Sequence, residues 1–238
     1  MRPMSDAQFV APPGQDESLD RMAEADNYND WLFERARPYL GRRVLDFGAG
    51  VGTFTERLAE HAEVVALEPD SGFVPRLRER FAGCDDVTVV LGTDEEIPAL
   101  GAFDSIVSLN VLEHIRDDEA VLRRLGEALV PGGHLLLLVP AHQALFGRID
   151  ENVGHERRYG RGALRRRLTG AGLKPLELRY VNPVGALGWL VSSRLLRREH
   201  VPAGPLKLYD ALVPVFRQLD GLPLPFGLSL WAVARRQP

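Results

Sequence analysis

The sequence is poor in residues that staple or anchor a chain. One of its 238 residues is a cysteine, Cys84, so no disulfide can close within the chain and no cysteine-type metal site exists. Lysine occurs only at Lys174 and Lys207, although Lys and Arg together number 29, so the cationic surface is arginine. No apolar run approaches the ~20 residues of a membrane-spanning helix. The N-terminus has no positive segment followed by an apolar core, so no signal peptide is read there. An excess of positive charge is also missing: the net charge of −4 argues against a nucleic-acid partner. No internal repeat is visible. These absences point to a cytoplasmic protein. What is present is a 45% hydrophobic content, enough for a real core, in a length that fits one α/β domain with additions or two small domains.

The stretch Val44-Leu45-Asp46-Phe47-Gly48-Ala49-Gly50-Val51-Gly52-Thr53 organises the rest. Val44 to Phe47 reads as a short buried strand, Gly48, Gly50 and Gly52 as a tight turn, and Thr53 onward as a helix. A strand that breaks at glycines and opens a helix points backbone N–H groups into a crevice, and a Cβ there would hold a ligand away from the main chain. The spacing is not the dinucleotide pattern G-x-G-x-x-G, whose third glycine falls at Thr53. Asp46 would repel a pyrophosphate but suits an ammonium group. Donors and a carboxylate together suit an amino acid joined to a nucleoside.

Asp46-Phe47-Gly48-Ala49-Gly50-Val51-Gly52 resembles the first motif of class I S-adenosylmethionine-dependent methyltransferases. Val64 to Asp70, with Glu68-Pro69-Asp70, resembles that family's second strand. Phe103 to Ile115 resembles its fourth strand, and Leu129-Val130-Pro131-Gly132-Gly133 its turn into the fifth. The motifs cover roughly residues 40–140 in the family's order, with the nearest likeness to members acting on quinone, lipid and natural-product acceptors. The resemblance implies a Rossmann-like, doubly wound seven-stranded sheet with an antiparallel last strand. It implies S-adenosyl-L-methionine as cofactor: Asp46 toward the ammonium, Gly48, Gly50 and Gly52 toward the main-chain approach, Glu68 and Pro69 at the ribose, and Asn110 at the methionine part. The family commonly has an aspartate after the third strand for the adenine amine. Here Thr93 stands at that place, with Asp94 one later. Tyr28 and Trp31, on a helix before the first strand, read either as packing or as a lid over the cofactor.

Alternating apolar strands and amphipathic helices support the same α/β reading, with a parallel sheet buried on both faces. Residues 1–22 read as a flexible polar arm and 23–238 as a single domain, with 183–220 a helical insertion before the last strand that caps an acceptor site. The candidate proton acceptors are His155, His142 and His114, since imidazole titrates near neutral pH. Glu113 and His114 either face the acceptor or start a helix. Arg157, Arg158 and Tyr159 form either an anion clamp or a solvated face. No metal ligands are assigned. The late helices, with Arg194, Arg197 and Arg198 alongside Trp189 and Leu190, suit a core cover, a homodimer face or a peripheral membrane contact. The expected activity is methyl transfer to a small or lipid-like acceptor at oxygen. The alternatives are a non-methyl-transfer reaction on the same fold, such as cyclisation, a nicotinamide-dependent oxidoreductase, and a non-catalytic subunit.

Overall fold

The computed structural model describes residues 13–190, 203–218 and 224–237. Seven strands form one sheet in the order β3-β2-β1-β4-β5-β7-β6. They are β1 (Arg43–Phe47), β2 (Glu63–Glu68), β3 (Val87–Leu91), β4 (Phe103–Leu109), β5 (Leu129–Pro140), β6 (Leu173–Val181) and β7 (Ser229–Arg236). The pairs β1–β2, β1–β4, β2–β3 and β4–β5 are parallel, while β7 runs antiparallel between β5 and β6. This is the doubly wound sheet with an antiparallel last strand that the sequence predicts. Strand order reverses between β1 and β4, so their carboxyl ends diverge and open a crevice there.

The period-2 alternation of each strand divides the core. Leu45, Phe47, Ile106, Leu135 and Leu137 face one side, where they meet Leu122 and Leu125 of α5 (Asp118–Ala128) and Leu164 and Leu168 of α7 (Arg161–Gly170). Val44, Val64, Val107, Leu136 and Trp231 face the other, against Leu32 and Phe33 of α2 (Asp26–Ala36) and Phe54 and Leu58 of α3 (Thr53–Ala59). Asp46 shares the parity of Val44 and so emerges on the α3 side. The short helix α4 (Phe73–Arg80) links β2 to β3. The strand β3 is only partly buried, against the expectation of burial on both faces, because it is an edge strand paired with β2 alone.

Two segments depart from the sequence reading. The arm expected over residues 1–22 contains a helix, α1 (Pro13–Ala23). Asp20 pairs with Arg76 of α4 at 2.5 Å, and Leu19 lies about a van der Waals contact from where a Cβ on Gly50 would sit. Residues 129–133, expected as a turn, already belong to β5, whose register shifts between Phe103 and Ser105. Gly133 fits because a Cβ there would stand 2.9 Å from the Asp104 carbonyl oxygen.

The helical insertion appears as α8 (Pro183–Trp189) and α9 (Ala203–Phe216). The expected extensions over 191–202 and 219–220, with Arg194, Arg197 and Arg198, lie outside the described residues. The Asp210 carboxylate of α9 accepts hydrogen bonds from the Tyr28 N–H (2.9 Å) and the Asn27 side-chain amide (3.0 Å). It satisfies donors that the first turn of α2 leaves unpaired. A shallow, solvent-open cleft lies between these helices, lined by Trp31, Asn182, Tyr209, Val213 and Phe216 among others. No helix among the described residues is long and apolar enough to cross a membrane.

Candidate active site

The glycine loop after β1 is built from backbone conformations that L side chains rarely adopt. Gly48 and Gly52 have φ of +80° and +84°. A Cβ on Gly48 would lie 2.4 Å from a methyl of Val111, and one on Gly52 2.7 Å from the Phe81 ring. The loop is therefore wedged between the C-terminal end of α4 and the segment that follows β4. Its N–H groups do not all point into the crevice as the sequence suggests. Those of Gly48 and Ala49 bond to the Leu67 carbonyl (2.8 and 3.2 Å), and that of Gly50 to Glu68 Oε2 (2.7 Å). Parallel pairing of β1 with β2 brings the Leu67 carbonyl and the Glu68 carboxylate against the turn, and a compact loop satisfies its donors there.

Two carboxylates flank this loop. Asp46 is 3% exposed and accepts the Thr55 hydroxyl at 2.6 Å. Burial pushes its pKa up to about 6, against the hydrogen bond from Thr55. Glu68 is 5% exposed, with its Oε1 accepting the Asp70 N–H at 2.9 Å. Burial pushes it up to about 7; the two backbone N–H bonds oppose this and the charges of Asp70 and Asp46 add to it. No basic side chain among the described residues pairs with either carboxylate. The site thus holds two buried acids that each gain by meeting a cation or a hydroxyl donor. That suits the ammonium, sulfonium and ribose diol of S-adenosyl-L-methionine better than a pyrophosphate.

The other expected cofactor contacts divide. Pro69 follows Glu68 at the carboxyl edge and is partly buried. Asn110 ends β4 with φ +55°, its N–H bonded to the Leu138 carbonyl (2.8 Å) and its side chain exposed. A non-glycine residue held there is uncommon and clusters at functional sites. Thr93 is taken up in its own turn, its N–H donating to Glu96 Oε2 at 2.5 Å. Asp94 departs from the expectation: its carboxylate turns to α5 and pairs with Arg124. Of the two readings of Tyr28, the structure shows packing, with its ring against Trp31 (5.5 Å between centroids) and Tyr209 (6.2 Å) in the layer between α2 and α9.

Beyond Asn110 the chain makes a single 3-10 turn, Leu112–His114. Glu113 is wholly buried, and neither of its carboxylate oxygens has a hydrogen-bond partner. Burial raises its pKa to about 7, against the pull of His155 and Arg158. His155 Nε2 lies 3.7 Å from Glu113 Oε1, and its Nδ1 lies 2.8 Å from Asp150 Oδ1. Asp150 sits on α6 (Arg148–Asn152) and is fixed by the Arg158 guanidinium at 2.8 Å and the Gly147 N–H at 2.9 Å. The His114 ring meets that of His155 edge-on at 4.8 Å, and burial lowers its pKa to about 4. His142 is separate: it stacks on Tyr180 at 4.4 Å, and the positive charge of Arg158 adds to burial in lowering its pKa.

The structure therefore joins His114 and His155 and leaves His142 apart. The anion clamp does not form. Arg157 is engaged by Asp118 (3.0 Å) and the Ile115 carbonyl (2.7 Å). Arg158 is held by Asp150, and Tyr159 donates to Asp118 at 2.7 Å. Asp150 escapes sequence reasoning altogether, because nothing in Arg148-Ile149-Asp150 marks a buried acid. The adjacency Glu113-His114 is the only signal, and its partner His155 is distant in the chain.

Residues 45–135 match a family model described as a methyltransferase domain. A ubiquinone biosynthesis O-methyltransferase of Escherichia coli is 30% identical over 184 residues, covering 71% of this chain and 68% of that protein. The chain belongs to the class I S-adenosylmethionine-dependent methyltransferase family. S-adenosyl-L-methionine is the cofactor of this family. The tRNA U34 carboxymethyltransferase of Klebsiella pneumoniae is 35% identical over 134 residues, 52% of this chain and 39% of that protein. The chain thus spans about two fifths of the length of the first curated relatives that it matches. An S-adenosylmethionine-dependent methyltransferase from Mesorhizobium loti shares the fold at a TM-score of 0.59 and 20% identity, covering 89% of this chain and all of that one.

Proposed function

We propose that this protein transfers the methyl group of S-adenosyl-L-methionine to a hydroxyl of a small or lipid-like acceptor in the cytoplasm. The observation that carries the reading is the pair of buried, cation-free acids Asp46 and Glu68 on either side of the Gly48–Gly52 loop. Asp46 takes the methionine ammonium and Glu68 the ribose diol, with Pro69 beside it. Gly48, Gly50 and Gly52 admit the cofactor to the main chain, and Asn110 contacts its methionine part. The sulfonium supplies an activated methyl group: the acceptor oxygen bonds to the methyl carbon, the sulfur keeps the electron pair of the broken S–C bond, and the acceptor releases a proton. What is left for the chain is alignment, exclusion of water and management of that proton.

Three features support the acceptor class. The E. coli relative is named as an O-methyltransferase of ubiquinone biosynthesis. The shallow cleft between α2, α8 and α9 offers the apolar and aromatic side chains Trp31, Tyr209, Val213 and Phe216 as a surface on which an apolar body can rest. The Glu113–His114–His155 cluster, with Glu113 buried and both histidines half-buried, follows the β4 end beside Val111, which borders the loop, and offers proton acceptors for a hydroxyl. The assay is transfer of isotope-labelled methyl to a panel of phenols, hydroxyquinones and lipids, with transfer RNA in parallel. Labelled phenolic product is expected. Label on RNA alone would replace the acceptor class, and product without label would point to a different reaction on the same fold.

A further inference from the structure

Three side chains with metal-ligating atoms converge behind the end of β4. Glu113, His114 and His155 each place one such atom within 4.8 Å of the others. Three features mark the group as more than a chance cluster. First, the Glu113 carboxylate is wholly buried and makes no hydrogen bond. A bare charge in that position is costly unless a cation neutralises it. Second, His155 is oriented by an acid outside the cluster: ionised Asp150 accepts from Nδ1 at 2.8 Å, so Nδ1 carries the proton and the Nε2 lone pair faces Glu113 Oε1 at 3.7 Å. Third, the His114 ring is engaged by a hydrogen bond to the main chain at Gly154. Metal-binding histidines characteristically carry such a carboxylate or carbonyl partner on the far nitrogen. His155 does so here.

The spacing agrees. With metal–ligand bonds of about 2.0–2.2 Å, ligands in a tetrahedral site stand about 3.4 Å apart. The His155–Glu113 separation of 3.7 Å is close to that.

We propose that Glu113, His114 and His155 bind a divalent first-row cation of the Mn2+ or Zn2+ class, with an open coordination position for the acceptor oxygen. Two imidazoles and one carboxylate suit such borderline cations better than an all-oxygen site would, and three protein ligands leave the position open. The second clause rests on the methyl-transfer reading; the first does not. Bound to the cation, the acceptor hydroxyl loses its proton to water more readily. The oxygen so freed forms the bond to carbon as the sulfur departs with its electron pair. Asp150 and Arg158 are then positioning residues: they fix the His155 tautomer and touch neither cation nor acceptor.

The test is calorimetric titration of the chelator-treated full chain with MnCl2 and with ZnCl2, with MgCl2 as the hard-cation comparison. S-adenosylhomocysteine is titrated into the same samples. The wild type is expected to take up about one equivalent, and Asp150→Asn to weaken uptake by about 10–100-fold, the usual effect of losing such a partner. Glu113→Gln is expected to weaken it at least as much, with S-adenosylhomocysteine binding kept in both variants. Absence of saturable uptake by the wild type, or equal uptake by Glu113→Gln, overturns the proposal. Should Glu113→Gln fail to melt cooperatively, His114→Ala is read in its place by the same criterion. Loss of S-adenosylhomocysteine binding with intact cation uptake would count against the cofactor reading alone.

Discussion

Replacing Asp46 with asparagine separates stability from cofactor binding. Burial holds the Asp46 pKa at about 6 instead of 3.8. An acid whose pKa is raised on folding keeps its proton more tightly in the native state. Its contribution is therefore whole below pH 3.8 and is lost as pH rises through about 6. A gap of about two in pKa corresponds to roughly 3 kcal/mol by which ionised Asp46 weakens the ligand-free fold at pH 8. Asparagine can still accept the Thr55 hydroxyl at the place where Oδ2 now does, and carries no charge. Ligand-free Asp46→Asn should therefore melt above the wild type at pH 8, with the difference closing toward about pH 4. Binding should move the other way. The ammonium loses a charge-assisted partner of about 1.5–3 kcal/mol, a weakening of roughly 10–100-fold. In the wild type, Glu68 at about 7 adds to the same trend, so affinity should rise between pH 6 and 8 with protons released on binding. Melting curves across that range with and without S-adenosylhomocysteine, and titrations in buffers of different ionisation enthalpy, measure both effects. A ligand-free variant less stable at pH 8, or one that binds like the wild type, would refute the reasoning.

Two further substitutions probe the loop and the adenine side. Gly48→Ala puts a Cβ 2.4 Å from Val111 at a φ of +80°, so it should cost about 1–3 kcal/mol in a denaturant melt and abolish measurable cofactor binding. Asp94→Asn should leave S-adenosylhomocysteine affinity within about twofold and stability within about 1 kcal/mol, because the carboxylate serves a partly exposed pair with Arg124. A tenfold loss of affinity in that variant would return Asp94 to the cofactor site.

Most of the sheet was legible because its signal is local. Val44-Leu45 and Val64 to Leu67 are apolar runs that lead straight into the acids Asp46 and Glu68, and glycines at alternate positions can serve little but a tight approach. Asp46 and Glu68 could be picked out because the loop between them dictates their neighbours. What escaped depends on distant partners. Nothing near Asp94 announces Arg124 on α5, and nothing near Tyr28 announces Asp210 on α9, brought in from the far end of the chain. The fate of Arg157, Arg158 and Tyr159 was hidden for the same reason: a basic run looks alike whether it meets solvent or the buried acids Asp118 and Asp150. The cluster around Glu113 unites a short turn after β4 with a loop beyond β5, and only the closed fold shows its carboxylate without a partner.

The position of β7 has a bearing on how the molecule is assembled. It is made after both of its neighbours, yet it lies between them, so β5 and β6 stay apart until Ser229–Arg236 has left the ribosome. Until then the Leu135–Val139 ladder presents an open, strongly apolar edge, the kind of template on which nascent chains pair with one another. Expression at low temperature or with a holdase chaperone should accordingly raise the yield of folded protein more than any surface substitution.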